Sequence, residues 1–192
     1  MVDLEPLTLD IVVSGLKAQI ERDSRDNQFY PEKGSVLSIS ADFNEEAFGS
    51  DFTFQKYGIS HQSYFQFRRH HILAYTITAC DIEGKAPFFN QCMLGSSADL
   101  RGYATGQHQD RRMIAGQAEY RLGLPWRFGA VGFMGAGAVA DQWSNFKSEE
   151  ILPGGGIGLR FLLAKSNHVN LRFDYAWGKE GSAWYVGLGE AF

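Results

Sequence analysis

Residues His168–Gly178 read HVNLRFDYAWG. Val169, Leu171, Phe173, Tyr175 and Trp177 share one face of an extended chain, and Asn170, Arg172 and Asp174 share the other. Side chains of a strand alternate sides, so a period of two means β-structure. Large apolar residues against a charged face suit a strand between a core and water, or one between lipid and a polar lumen. The rest of the chain separates the two cases.

Outward from this stretch the period recurs. In Ser182–Phe192, Trp184, Val186, Leu188 and Phe192 share a face, with Ala183, Gly187, Gly189 and Ala191 opposite and Tyr185 the large exception there. Gly154–Ala164 sets Ile157, Leu159, Phe161 and Leu163 against Arg160. Phe128–Asp141 is rich in glycine and alanine, as at a crowded interior. Arg112–Gly123 turns Ile114, Ala118, Tyr120 and Leu122 outward and Gln117, Glu119 and Arg121 to the polar side. His71–Glu83, Asp51–Arg68, Gly34–Glu45 and Leu9–Arg22 read the same way. Within Asp51–Arg68 the aromatic phase shifts between Phe54 and Phe65, as a bulge would make it. The count is about nine strands.

Short connections follow Arg68, Leu122 and Ala164, and long ones span Asp81–Arg111 and Gln142–Pro153. Short turns on one side and long loops on the other mark an outer-membrane barrel. A soluble sandwich has no reason to segregate loop lengths. Tyr30, Phe67, Trp126, Trp143, Trp177 and Trp184 lie near strand ends, where interfacial girdles would sit. The expected fold is therefore all-β: a transmembrane antiparallel β-barrel, a short form of about eight to ten strands, in one domain over residues 1–192.

Composition agrees. The 192 residues include 22 Gly, 15 Phe, 8 Tyr and 4 Trp but only 5 Pro, and the net charge is −4. That charge gives no support for nucleic-acid binding. There is no apolar run of about 18 residues, so helical spans are excluded while strand spans are not. The opening MVDLEPLTLD has neither a basic n-region nor an apolar h-region, which fits a cytosolic chain or a mature segment.

Four motifs in order carry a resemblance. They are DSRDNQFYPEKGS (Asp23–Ser35), LRGY (Leu100–Tyr103), EYRLGLP (Glu119–Pro125), and the closing GGIGLRF, LRFDYAWG and WYVGLGEAF. Together they resemble the C-terminal barrel half of the BamA/TamA superfamily, the bacterial surface-antigen type of outer-membrane protein. The resemblance implies a bacterial outer-membrane location. It also implies a role in protein insertion or protein transport there, on client β-barrel or secreted polypeptides, without catalysis or a cofactor. In that family the barrel has roughly sixteen strands, usually behind periplasmic POTRA modules. Its Arg-Gly-Tyr loop folds into the lumen, where the arginine pairs with acids on the next two strands.

Carried over by position, Arg101, Gly102 and Tyr103 form the lumenal latch and Glu119 is the first acidic partner. The second acid of the family is absent: its motif stands here as Phe133-Met134-Gly135-Ala136-Gly137. The lock is then weaker, or another acid, Asp141 or Asp174, takes its place. Trp184, Val186, Leu188 and Phe192 match a C-terminal strand signal, with Phe192 as anchoring residue. Gly187 and Gly189 make the last strand a weak lateral seam. About nine strands are half a family barrel. That leaves a fragment, a small barrel, or a homodimer sharing one barrel, since open edges in lipid are not tolerated.

Other candidates read as structure. Cys80 and Cys92 could be bridged in an oxidising compartment, and have no zinc spacing. His70–His71 beside Arg68–Arg69 suits a basic turn at lipid headgroups better than a metal site, because adjacent strand residues face opposite ways. Asp23, Arg25 and Asp26 suit a charged turn better than a carboxylate pair. His108, Asp110 and Ser96/Ser97 share one loop, which gives a triad no support. The expectation is a non-enzymatic barrel whose partners are outer-membrane lipid and client polypeptides. A passive pore or membrane anchor, a soluble binding sandwich and an outer-membrane enzyme stand as the other readings, in that order.

Overall fold

The structure is a computed structural model and describes residues 11–147 and 150–192. Its strands are β1 (Gly15–Asp23), β2 (Lys33–Asn44), β3 (Phe54–Arg68), β4 (His71–Gly84), β5 (Cys92–Leu94), β6 (His108–Asp110), β7 (Arg112–Gly123), β8 (Phe128–Ala140), β9 (Leu152–Ala164), β10 (Val169–Gly178) and β11 (Ser182–Leu188). Nine of them form one sheet in the order β1-β2-β3-β4-β7-β8-β9-β10-β11, and β5 and β6 pair separately. Every ladder between sheet neighbours is antiparallel. The expected start of the first strand, Leu9 and Asp10, lies outside the described residues, as does the rest of the opening MVDLEPLTLD.

The sheet staggers strongly. From Glu21 the residues directly opposite are, strand by strand, Ser38, Ser60, Thr78, Ala115, Gly137 and Leu152. Glu21 lies near the end of β1, on the same side as the short β3–β4 turn, whereas Leu152 opens β9 at the long-loop end. Tilt and stagger of this kind curl a sheet toward a barrel. At the short-turn end the β1–β2 connection meets the β9–β10 turn. Tyr30 stacks on His168 with ring centroids 3.9 Å apart, and Asn27 Nδ2 donates to Asn167 O at 3.4 Å.

Alternation sorts the two faces. Outward residues include Leu16, Ile20, Ile39, Ile59, Leu73, Ile77, Ile114, Ile157, Leu159, Phe173, Val186 and Leu188, all substantially exposed. A sheet whose outer face is this apolar has lipid, not water, as its compatible solvent. Strands β2 to β4 and β7 to β10 have 10 to 15 residues each, enough for a tilted crossing. Phe67, Trp126, Trp143, Trp177 and Trp184 are exposed near strand ends. Tyr30 is not among them: it is buried in the turn that folds back against β10.

Two sequence expectations need correction. No bulge separates Phe54 from Phe65, since β3 pairs residue for residue with both neighbours over that span. The aromatic phase shifts because Phe54 points into the interior, where it is 1% exposed, while Phe65 points out. The last strand ends at Leu188, short of Phe192. Gly189 has φ +80°, a left-handed conformation that glycine reaches without Cβ strain, and it turns the chain inward. Phe192 is consequently buried with Tyr64 and Ala74, and is no outward anchor.

Candidate functional site

The 27 residues between β4 and β7 (85–111) fold into the curl of the sheet. Three things place them. The Cys80–Cys92 disulfide ties the loop to the lumen face of β4. The β5–β6 ladder pairs Cys92–Leu94 with His108–Asp110 and closes the loop base. Leu94, Leu100 and Tyr103 join Phe54, Ile82, Met113, Ala115 and Leu152 in an apolar cluster that fills the long-loop end of the interior.

The glycines of β8 and β9 make the seat. A Cβ on Gly135 would lie 3.0 Å from Leu100 Cδ1, and one on Gly154 would lie 2.6 Å from Arg101 O. Glycine stands at 135, where the resemblance puts an acid, and the space left at Gly135 and Gly137 holds the loop's Leu100 and Leu94. Gly102 has φ +110°, and a Cβ there would sit 2.8 Å from the Trp177 carbonyl carbon. Its N–H donates to Tyr185 Oη at 3.0 Å. Tyr103 Oη donates to Pro153 O at 2.6 Å and accepts from Lys179 N at 3.0 Å.

This seating delivers Arg101, with 0% exposure, to the centre. Its Nη2 lies 2.5 Å from Glu119 Oε2, and its Nη1 lies 2.6 Å from Asp174 Oδ2. Its Nε donates to Gln117 Oε1 at 3.1 Å, and its guanidinium carbon lies 3.4 Å over the Phe133 ring centroid. A planar, always-charged fork can satisfy two carboxylates and an aromatic face at once, which a lysine cannot. Burying such a charge is tolerable only with this pairing.

Three further arginines extend the network toward the short-turn end. Arg121 Nε donates to Glu119 Oε1 at 2.6 Å. Arg160 reaches Asp174 Oδ1 at 2.5 Å and Glu190 Oε2 at 2.7 Å. Glu190 also accepts from Asn170 Nδ2 at 2.8 Å. Arg121 Nη2 donates to the Phe192 carbonyl at 3.0 Å. Arg172 stands apart. Its closest carboxylate, Asp174, is 3.8 Å away, and its Nε and Nη1 are buried with no hydrogen-bond acceptor among the described residues.

The sequence-chosen residues thus divide. Arg101, Gly102, Tyr103 and Glu119 come together, and Asp174 takes the second acidic place. Asp141 does not: it lies exposed beyond β8, where its carboxylate accepts from Asn145 Nδ2 at 2.7 Å. Trp184, Val186 and Leu188 line the outward face of β11 without Phe192. Gly187 lies beneath the Arg172 guanidinium, and Gly189 ends the strand. His108 Nε2 sits 3.2 Å from Glu180, while Asp23 binds Arg25 at 2.7 Å within its own turn.

Gln117, Arg121, Phe133, Arg160, Asn170, Tyr185 and Glu190 escaped the sequence reading as site residues. The signal was available for the arginines. Arg121, Arg160 and Arg172 all fall on inward phases, and inward cations need inward acids.

Solved structures show the same fold. The crystal structure of BamA from Haemophilus ducreyi lacking POTRA domains 1-3 superposes with a TM-score of 0.69 at 15% identity, over 90% of this chain and 41% of that one. This chain therefore spans about two fifths of the BamA chain it resembles. The search of curated proteins found no match. The profile of the Omp85 superfamily domain matches residues 13–192. That match takes in all eleven strands and the buried Arg101 loop, and the chain belongs to the Omp85 superfamily.

Proposed function

We propose that this Omp85-type barrel sits in a bacterial outer membrane and assists the insertion or translocation of other polypeptides there, without catalytic chemistry. The observation that carries this reading is an unsealed pair of edges beside a filled interior. β1 and β11 have no ladder partner on their outer sides among the described residues. Arg101, Leu94 and Leu100, all fully buried, occupy the space a conducting pore would need. What remains reactive is backbone: free N–H and C=O groups along two strand edges, which template strand addition. In lipid those groups are costly when unpaired, so an incoming strand is favoured to pair with them. The partners of this reading are membrane lipid and a strand-rich client.

The test is a folding assay in vesicles. The full chain is reconstituted first, and an unfolded outer-membrane barrel is then added as client. The client's heat-modifiable folded band should appear several-fold faster than in empty vesicles. A rate equal to that of vesicles carrying an unrelated closed barrel would leave a passive anchor.

A further inference from the structure

The two ends of the sheet differ in charge. Three tight turns at the short-turn end, 68–71, 123–128 and 164–169, carry Arg68, Arg69, Arg127 and Lys165 and no carboxylate. All four cations are exposed, and none takes part in an ion pair among the described residues. Their only side-chain hydrogen bond among those residues runs from Arg127 Nη1 to the Leu162 carbonyl at 3.5 Å. The β1–β2 connection at the same end is different: Arg25 is held by Asp23 at 2.7 Å, and Asp26 and Glu32 are close in sequence. At the long-loop end the balance reverses. Residues 45–53 hold Glu45, Glu46 and Asp51 without a cation, and the sequence 141–151 sets three carboxylates against Lys147.

The unpaired cations border an apolar band. Phe65 and Phe67 precede Arg68 on β3, Phe128 follows Arg127 on β8, and Leu163 lies two before Lys165 on β9. All four apolar side chains are exposed on the outer face. A cation just beyond such a wall lays its stem over hydrocarbon and sets its charge at the depth of lipid phosphates. Trp126 marks the same level. Its backbone is left-handed, with φ +74°, which is uncommon for a bulky residue, and its side chain is 95% exposed. A large aromatic kept in that conformation with almost no contact inside the chain points to a contact outside it. Acid-free turns set over aromatic rings match a surface that is anionic at one depth and hydrocarbon just below.

We propose that the turns 68–71, 123–128 and 164–169 form a docking surface for anionic phospholipid headgroups. Arg68, Arg69, Arg127 and Lys165 bind the phosphates, and Trp126 lies at the boundary between headgroup and hydrocarbon. The acidic connections at the long-loop end offer those headgroups no counterpart. The proposal rests on the membrane location in the reading above and names the lipid chemistry of its short-turn end; it does not depend on a client.

The test uses the full chain in phosphatidylcholine vesicles and reads tryptophan fluorescence. Trp126 is at the short-turn end, whereas Trp143, Trp177 and Trp184 lie toward the long-loop end. A variant carrying Trp143→Phe, Trp177→Phe and Trp184→Phe reports on the first, and Trp126→Phe reports on the second. Part of the lipid is replaced by phosphatidylglycerol, or by phosphatidylcholine at the same fraction, brominated on the chains near the headgroup. Brominated phosphatidylglycerol should quench Trp126 about twofold more strongly than brominated phosphatidylcholine. The long-loop tryptophans should show no such preference. About 1 M salt should abolish the preference, since screening then shortens charge interactions to about 3 Å. Arg68→Gln, Arg69→Gln, Arg127→Gln and Lys165→Gln together should abolish it as well. The salt arm needs no change in the turns and keeps the test open if the fourfold variant folds poorly. Equal quenching by the two lipids in a folded chain overturns the docking surface alone. A preference shared by both ends, or one that survives salt or the four substitutions, overturns its assignment to these cations. Failure of the unmodified chain to insert into lipid overturns both this proposal and the reading beneath it.

Discussion

At the residue scale the account turns on Arg101. Its removal leaves Asp174 with Arg160 and Glu119 with Arg121, but the Phe133 face and Gln117 lose their partner. Breaking a buried pair from one side costs ~3–5 kcal/mol. Arg101→Ala should lower unfolding stability in detergent by that order, and Arg101→Lys by less, because charge survives and the fork is lost. In a double-mutant cycle, Glu119→Gln with Arg101→Ala should be markedly non-additive; simple additivity in urea titrations would show that the two do not interact. Asp99 offers a pH handle. Burial pushes its carboxyl above the ordinary 3.8, against hydrogen bonds from Ser96, Leu100 and Gly95 that pull it down. The folded state therefore holds this proton more tightly than the unfolded state. The contribution is fully present below pH 3.8 and is lost as pH rises through the raised folded value. Protease resistance of the 85–111 loop should fall across that window, and Asp99→Asn should flatten the fall.

At the element scale, strand phase was legible and most strand ends followed from it, but the end of the last strand did not. Arg112–Gly123 is a strand from the first expected residue to the last, because a strict alternation fixes its two faces. The last strand misled because its alternation runs on through Gly189 to Phe192, and only a backbone angle breaks it. β5 and β6, at three residues each, are too short for any period to register. Arg101 and Glu119 were readable from a motif joined to a phase. The Arg160–Glu190 pair was not, because it depends on a tail that turns back under the sheet. Two substitutions test the faces. Leu171→Arg, on the outward side of β10, should cost about 2–4 kcal/mol at mid-bilayer. Asn170→Ser looks mild from sequence as a lumen-side polar exchange, but Asn170 is 4% exposed and holds Glu190. Its loss should cost ~1 kcal/mol in the same unfolding titration.

For the whole molecule, the interior divides along the barrel axis. The long-loop end is an apolar plug stapled by Cys80–Cys92, and the short-turn end is an ionic lattice closed by the turned-in tail. Removing the disulfide by Cys92→Ser should cost about 2–4 kcal/mol and free the loop before the sheet. Such an interior supports a rigid wall and leaves change to the two outer strands of the sheet, β1 and β11. The most direct measurement is folding of the full chain in lipid vesicles, followed by gel mobility with and without heating, beside Arg101→Ala. A compact, heat-modifiable form that requires lipid and is weakened by Arg101→Ala is the expected result. A chain that folds in buffer without detergent or lipid, or whose compact form ignores Arg101, would end the reading of a latched membrane barrel.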